Sequence, residues 1–459
     1  MRKLEFNRRQ LLEAAAIATG GLMLGGILPR RARAAALDKK RRFVFAYFEG
    51  GWDILLGLDP RDPRSNNATD QKIDPNYGAL GAGYQARGVQ RTSNGLSFGP
   101  AVPSELLAHA PRISIVNGLA MDTASHEVGR RYFNTGRFPR GLTAVGSSTP
   151  AEIIAQVGES FPIPSLSAAV ESYATDLPPF ATALSVNSLA DLITALTPFT
   201  QLDPAIAAAV EAYQNQGPGC VGTSLNRDGL TSNLVRNQKK AREYIAAKLD
   251  QVFNINRTDA EMERLRGLYA ITNAAEPSPE VLSFVAGQAL KAGVSQCVAV
   301  RMAQSLDTHT NWAQDQAPRQ ESGWRALAAL MSDLASTPAT DSPGQTLLDQ
   351  TTILAYSEFG RTPLFNNLRG RDHFLGNSCL LAGAGIKGGV TYGNSASIGM
   401  MPLDVEVATG RGVEIANPDD KASGRVITLG PKHVLATVLA SAGLDASYLR
   451  EPALTPLLA

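Results

Sequence analysis

Asp307-Thr308-His309 sets a carboxylate and an imidazole one residue apart, so on extended backbone the two point the same way and can ligate one ion or two adjacent ones. The pair ends an apolar, β-prone run from Cys297 to Met302. Two more acids end runs of the same kind: Asp53, in Gly50-Gly51-Trp52-Asp53 after Phe43 to Phe48, and Glu358, in Ser357-Glu358-Phe359-Gly360-Arg361-Thr362 after Thr351 to Tyr356. Asp372-His373 follows closely. In an open parallel α/β sheet, ligands gather at the carboxyl ends of the strands, where residues distant in the chain converge. Carboxylates brought to one edge repel each other and are costly to desolvate unless a cation or an Arg stands among them. A divalent metal held by Asp53, Asp307, His309, Glu358, Asp372 and His373 is therefore the expectation, as one or two ions. The mixed oxygen and nitrogen donors suit zinc, manganese or iron better than calcium.

Each of these residues has a second role open to it. Asp53 can cap the following Ile54-Leu55-Leu56, Glu358 can pair with Arg361, and Asp372 can be neutralised by Arg369 or Arg371. Ser125-His126 precedes a helical stretch, Glu127 to Asn134, which places a hydroxyl and an imidazole where anions bind a helix N-terminus, or leaves Ser125 as a plain cap. Arg130 and Arg137 are candidates to clamp a phosphate or sulfate. His109 has no such support, and His433 opens the last helix as a structural residue.

The elements that must position these groups are legible in outline. Arg41 to Phe48 and Ile113 to Val116 read as buried strands, separated by a Gly/Asn/Pro-rich loop from Pro60 to Pro100. Helices are expected from Thr149, over Ser188 to Leu196, Ser232 to Phe253 and Ala260 to Thr272. Strand signals return at Cys297, Thr351 and Ser378 to Leu381, with a helix from Ser322 to Leu334 between the first two. That alternation predicts right-handed βαβ units and an α/β fold: a large, mostly parallel sheet with helices on both faces and a helical insertion over about 188–280. Cys297 and Cys379 sit in apolar runs as core residues, and with Cys220 they form neither a disulfide framework nor a zinc-ligand spacing.

Lys+Arg 43 against Asp+Glu 42 gives no global bias toward nucleic acid. Asn7-Arg8-Arg9-Gln10-Leu11-Leu12 resembles a twin-arginine export signal, and Ala32-Arg33-Ala34 offers a cleavage site after it. The apolar stretch from Ala14 to Leu28 is shorter than the roughly 20 residues a spanning helix needs, and glycines weaken it. Removal of residues 1–34 takes away seven basic and two acidic residues and moves the net charge from +1 to −4. The expectation is a periplasmic or secreted protein that meets the twin-arginine translocase during export and has no stable membrane span when mature.

Gly50-Gly51-Trp52-Asp53, Ser125-His126 with Thr135-Gly136-Arg137, Asp307-Thr308-His309, Ser357 to Thr362, and Gly370 to His373 with Lys387-Gly388-Gly389 together resemble a bacterial family filed as domain of unknown function 1501 and often labelled sulfatase-like. That family looks like a branch of the alkaline phosphatase and sulfatase superfamily. The resemblance implies an alkaline-phosphatase-like fold, with Asp53, Asp307, His309, Glu358 and His373 in the metal set. It implies attack on phosphorus or sulfur by a metal-activated hydroxyl or water, assisted by Arg130, Arg137 and Arg361.

The chain also departs from the superfamily. Its phosphatases space the Asp/His pair more widely than Asp307-Thr308-His309, and they carry Asp-His where this chain has Glu358-Phe359. Sulfatases carry Cys-x-Pro-Ser-Arg ahead of Thr-Gly-Arg; counting back from Thr135-Gly136-Arg137 puts Arg130 on that Arg and His126 on the Cys. No formylglycine can form there, which leaves Ser125 as a candidate nucleophile and His126 as a general base or metal ligand. Two classes of function stay open: an exported metal-dependent hydrolase of small-molecule phosphate or sulfate esters, and an exported binding or assembly protein that has lost turnover on the same fold.

Overall fold

The structure, a computed structural model, describes residues 40–197 and 248–459, together with the isolated Ala208 and Ala212. The expected export signal over residues 1–34 and most of the helix expected from Ser232 lie outside the described residues, as does Cys220. An eight-stranded sheet organises the rest: β1 (Arg42–Phe48), β2 (Ile113–Ala120), β3 (Ser165–Ala168), β4 (Leu184–Val186), β5 (Cys297–Ala303), β6 (Thr351–Tyr356), β7 (Gly376–Gly383) and β8 (Val390–Tyr392). Their spatial order is β8-β2-β7-β6-β1-β5-β3-β4.

β1 lies between β5 and β6, parallel to both, with Phe43 opposite Cys297 and Thr352. Its residues divide by parity, as a strand's side chains must. Val44, Ala46 and Phe48 enter one core, and Phe43, Phe45 and Tyr47 enter a second core on the other face. The first core is closed by α5 (Pro279–Lys291) and α6 (Trp312–Ser336), the second by α1 (His126–Thr135), α2 (Thr149–Val157) and α7 (Pro431–Ala440). A sheet buried on both faces explains why its central strands read as unbroken apolar runs. Cys297 and Cys379 are buried in the second core.

Two features differ from the sequence expectation. The strand signal at Ser378 to Leu381 belongs to β7, which runs antiparallel to both β6 and β2. No helix separates β6 from β7, so the intervening residues 357–375 leave and re-enter the sheet at the same edge. The helix expected from Ser322 begins instead at Trp312 and carries Pro318 inside it. Proline reads as a helix break, yet burial of Trp312, Gln316, Ala317 and Gln320 holds these turns, so packing overrides propensity.

β3 and β4 have no counterpart in the sequence reading, being only four and three residues long. Of the expected insertion over 188–280, the described parts are α3 (Leu189–Leu196), a turn at Leu249–Val252 and α4 (Ala260–Leu268). Leu192, Phe253 and Leu265 from these parts join the first core. The loop over 60–100 is pinned to it by Ile73, Leu96 and Phe98. Among the described residues no helix is long and apolar enough to cross a membrane.

A buried ion pair ties the loops at the carboxyl edge of the sheet together. Asp53 and Arg371 are both fully buried, with Arg371 Nε 3.0 Å from Asp53 Oδ2. The same oxygen accepts from Trp312 Nε1 at 2.7 Å, and Oδ1 accepts from the Leu55 backbone at 2.9 Å. The guanidinium lies over the rings of Trp312 and Phe365, which meet edge to face, and donates to the Thr362 carbonyl. Removing one partner leaves an uncompensated buried charge. Arg371→Met is expected to lower unfolding stability by roughly 3–5 kcal/mol, and adding Asp53→Leu to restore part of the loss. Urea denaturation of the three proteins checks this; a single variant as stable as the parent would remove the pair from its structural role.

Candidate metal centre

The site is built where β1, β2, β5 and β6 end and β7 begins. β1 runs into Gly50 and Gly51, β5 into Asp307 and His309, β6 into Ser357 and Glu358, and β2 turns through Asp122 into α1, whose first residue is His126. Because β7 is antiparallel, His373 arrives at this same edge just before it. Gly50 has φ +111°, and a Cβ there would stand 2.5 Å from the Leu306 backbone nitrogen, so only glycine lets β1's exit pass under the Asp307 loop. A Cβ on Gly129 would stand 2.5 Å from the Glu358 carbonyl, so its absence lets α1 lie against the β6 loop and brings His126 to Glu358.

His126, Asp307 and His373 each offer one ligand atom, all within 4.8 Å of one another. His126 Nε2 is 3.4 Å from Asp307 Oδ2, and His373 Nε2 is 3.1 Å from Asp307 Oδ1. His309 Nε2 is also 3.1 Å from Asp307 Oδ1 and 3.0 Å from His373 Nε2. The far nitrogen of each ring faces a group that can only accept. The Nδ1–H of His126 donates to Glu358 Oε1 at 2.8 Å, that of His309 to Asp372 Oδ1 at 2.7 Å, and that of His373 to the Ala124 carbonyl at 2.6 Å. In a neutral imidazole whose one N–H is on Nδ1, Nε2 presents a lone pair, here on the side of Asp307.

Lone pairs and a carboxylate pointed at one another need a positive charge among them. His126 Nε2 is buried and makes no hydrogen bond. Burial works against charge on this ring, but Glu358 and Asp307 raise its pKa above the ordinary histidine value, so the field at that point favours a cation. Burial lowers the pKa of His373, which favours its neutral form. Ligands at metal–donor distances of 2.0–2.2 Å lie roughly 3.3–3.6 Å apart in a tetrahedron; the 3.4 and 3.1 Å separations from His126 and His373 to the two Asp307 oxygens are near that range, while the three ligand atoms as a set lie within 4.8 Å of one another. The residues fit a divalent ion bound by His126, Asp307 and His373, with His309 beside it.

The expected ligand set thus divides. Glu358 is fully buried and touches the outer nitrogen of His126; burial alone would raise its pKa, but bonds from His126 and the Gly50 N–H hold it below the usual carboxylate range. Asp372 orients His309 and is itself held by Asn366 Nδ2 at 2.8 Å. Asp53 lies in its pair with Arg371, where its Oδ1 also caps Leu55.

Arg361 is buried under the cluster. It donates to Asp307 Oδ1 and to the carbonyls of Gly50, Gly51 and Arg371, so it holds Asp307 in place and is not open to a substrate. Burial pushes Asp307 upward, but the Arg361 guanidinium outweighs that and brings its pKa down to about 2. Ser125 turns its hydroxyl to Glu127 at 3.2 Å. Arg130, one turn after His126 on α1, pairs with Glu171 at 2.7 Å. Arg137 lies beyond the far end of α1, about 15 Å of helix away, against Tyr448.

Sequence reasoning missed three parts of the site. The Ala124 carbonyl carries no side-chain signal at all. Phe359, fully buried, lies under the rings of His126 and His373 with centroids 4.8 and 4.4 Å away. Asn366 holds both Asp372 and the His309 carbonyl; its place in the loop between Arg361 and His373 was the available signal.

An α/β sheet with one cluster of imidazoles and carboxylates at its carboxyl edge defines a mixed α/β protein with a candidate metal centre. The chain belongs to the family of proteins of unknown function DUF1501, whose model matches residues 40–409 and so spans every residue of the cluster. No curated protein matches the chain.

If Glu358 orients His126 from behind, Glu358→Gln keeps the shape but weakens the acceptor. The expected result is metal affinity lower by about 10–100-fold with the fold intact. Competition with a chelator of known affinity measures it; unchanged affinity would separate Glu358 from the centre.

Proposed function

We propose that this chain is an exported, metal-dependent hydrolase of phosphate or sulfate esters, on a branch of the alkaline phosphatase and sulfatase fold. The observation that carries the reading is the set of imidazole Nε2 atoms turned on Asp307 while an acceptor holds each Nδ1–H. Zinc, manganese or iron suits these donors, and one ion accounts for the group. A divalent ion held there supplies Lewis acidity and makes water a better nucleophile at neutral pH.

The protein's own groups do the rest. Glu358 keeps the His126 proton on Nδ1, Asp372 does the same for His309, and Phe359 closes the floor to water. Arg361 fixes the Asp307 carboxylate. The side chains of His126, His309 and Asp307 remain 25, 40 and 44% exposed, so a substrate can reach them. With the Ser125 hydroxyl turned to Glu127, attack by water is favoured over attack by serine. His126 in place of the sulfatase Cys argues against formylglycine chemistry. The Asn7 to Leu12 motif supports export by the twin-arginine translocase and cleavage after Ala34, to the periplasm or beyond.

One observation favours the second reading, an exported binding or assembly protein without turnover. Asp53, in the place of the superfamily's first-strand ligand, is spent on Arg371 and Trp312.

Elemental analysis of the purified chain from Ala35 onward, beside Asp307→Ala, tests the proposal. Near-stoichiometric metal in the parent and its loss in the variant are expected, with ester turnover falling at least about 10²-fold alongside. A parent that stays metal-free after reconstitution with zinc, manganese and iron would overturn the hydrolase reading and favour the binding protein.

A further inference from the structure

His309 is the most exposed of the three imidazoles at the candidate metal centre: its side chain is 40% exposed, against 25% for His126 and 21% for His373. The other two rings rest on Phe359, whereas His309 has only the His373 ring beside it among the described aromatic residues, with centroids 4.7 Å apart. Its Nε2 nevertheless lies 3.1 Å from Asp307 Oδ1 and 3.0 Å from His373 Nε2, which is itself 3.1 Å from that oxygen. Three atoms so evenly spaced outline one face of a coordination tetrahedron, with edges somewhat shorter than the roughly 3.3–3.6 Å between bound ligands. An exposed ring needs something to hold it at that face, since rotation about its side-chain bonds carries Nε2 away.

Asn366 is placed to do this. Its Nδ2 donates to the His309 carbonyl at 3.0 Å and to Asp372 Oδ1 at 2.8 Å, the same oxygen that accepts from His309 Nδ1 at 2.7 Å. One amide thus ties the backbone of His309 to the carboxylate that turns its ring, and both ends of the side chain are fixed from a single point. The amide is itself fixed: its Oδ1 accepts from the backbone N–H of Leu368 at 2.9 Å and of Gly370 at 3.0 Å, so its two donor and two acceptor places are all filled. A Cβ on Gly370 would stand 2.0 Å from the His309 carbonyl, so glycine there lets the loop lie directly on the His309 backbone. An exposed imidazole–carboxylate contact contributes little when both partners must be ordered to make it; here the amide orders the carboxylate in advance.

We infer that Asn366 is a positioning residue of the metal centre, and that by locking Asp372 and the His309 backbone to one amide it makes His309 the ion's fourth protein ligand. The inference rests on the metal centre of the proposed function and not on turnover.

Cobalt(II) bound to the chain from Ala35 onward tests this, because the N–H protons of coordinated imidazoles shift far downfield in proton NMR and are counted there. The parent is expected to show three, from His126, His309 and His373. Asn366→Asp keeps the acceptor for Leu368 and Gly370 but sets a carboxylate against Asp372 and the His309 carbonyl. The signal that His309→Ala also lacks should be lost, and cobalt affinity should fall about 10–100-fold, as for other groups that orient a ligand. Adding Asp372→Asn returns a donor to that contact, so the double variant should recover the third signal and part of the affinity, a rescue that a purely structural role would not give. Asn366→Ala, which removes the amide without adding charge, should lose the same signal and serves if Asn366→Asp does not fold. Two signals in the parent, three undiminished signals in either folded single variant, or a parent that takes up no cobalt would overturn the inference. Three signals without ester turnover would support it and overturn the hydrolase reading alone.

Discussion

The buried pair of Asp53 and Arg371 is the contact on which the carboxyl edge of the sheet depends. It joins the turn after β1, the start of α6 and the loop that carries Arg361 and His373, three pieces drawn from widely separated parts of the chain. Neither charge can face water, and neither can lose its partner without a heavy desolvation cost. Two aromatic rings on Arg371 and the indole N–H on Asp53 complete the shell. Held in this way, and closed at its ends by a short antiparallel ladder that pairs Arg361 with His373, the loop presents Arg361 beneath Asp307 and His373 beside it.

Topology does the rest of the positioning. In an all-parallel sheet, the chain after β6 would cross to the opposite edge before the next strand. Here β7 reverses, so residues 357–375 begin and end at the functional edge and deliver Glu358, Arg361, Asp372 and His373 from one loop. The sheet thereby gathers at one place what a parallel connection would have shared between two. The close approach of α1 through Gly129 then adds His126 from the far side.

The electrostatics of the centre follow from that convergence. Asp307 stands between Arg361 below and three imidazoles above, and each imidazole is turned by an acceptor at its outer nitrogen. Glu358 and Asp372 resemble ligands by type, but each lies against the outer nitrogen of an imidazole, Glu358 at His126 and Asp372 at His309. That division of labour between inner and outer groups is common in metal sites and raises the basicity of the inner nitrogens.

The sequence by itself determined the buried strands at Arg42, Ile113, Cys297 and Thr351, since both faces of each are covered and each reads as an apolar run. It also showed that acids and histidines follow such runs, and that Gly50 precedes them. It could not tell inner from outer groups, because Asp53, Glu358 and Asp307 follow their strands in the same way and differ only in what packs beside them. Asp53 meets Arg371, Glu358 meets the outer nitrogen of His126, and Asp307 faces the Nε2 atoms of His126, His309 and His373. Nor could it show the reversal of β7, since strand direction is set by where the preceding loop is pinned rather than by side-chain pattern. The Ala124 carbonyl at His373 and the ring of Phe359 beneath the imidazoles are backbone and packing facts with no residue-type signature. Only the tertiary structure decides them, because the contacts of His373 with Ala124 and of Phe359 with His126 join segments more than a hundred residues apart.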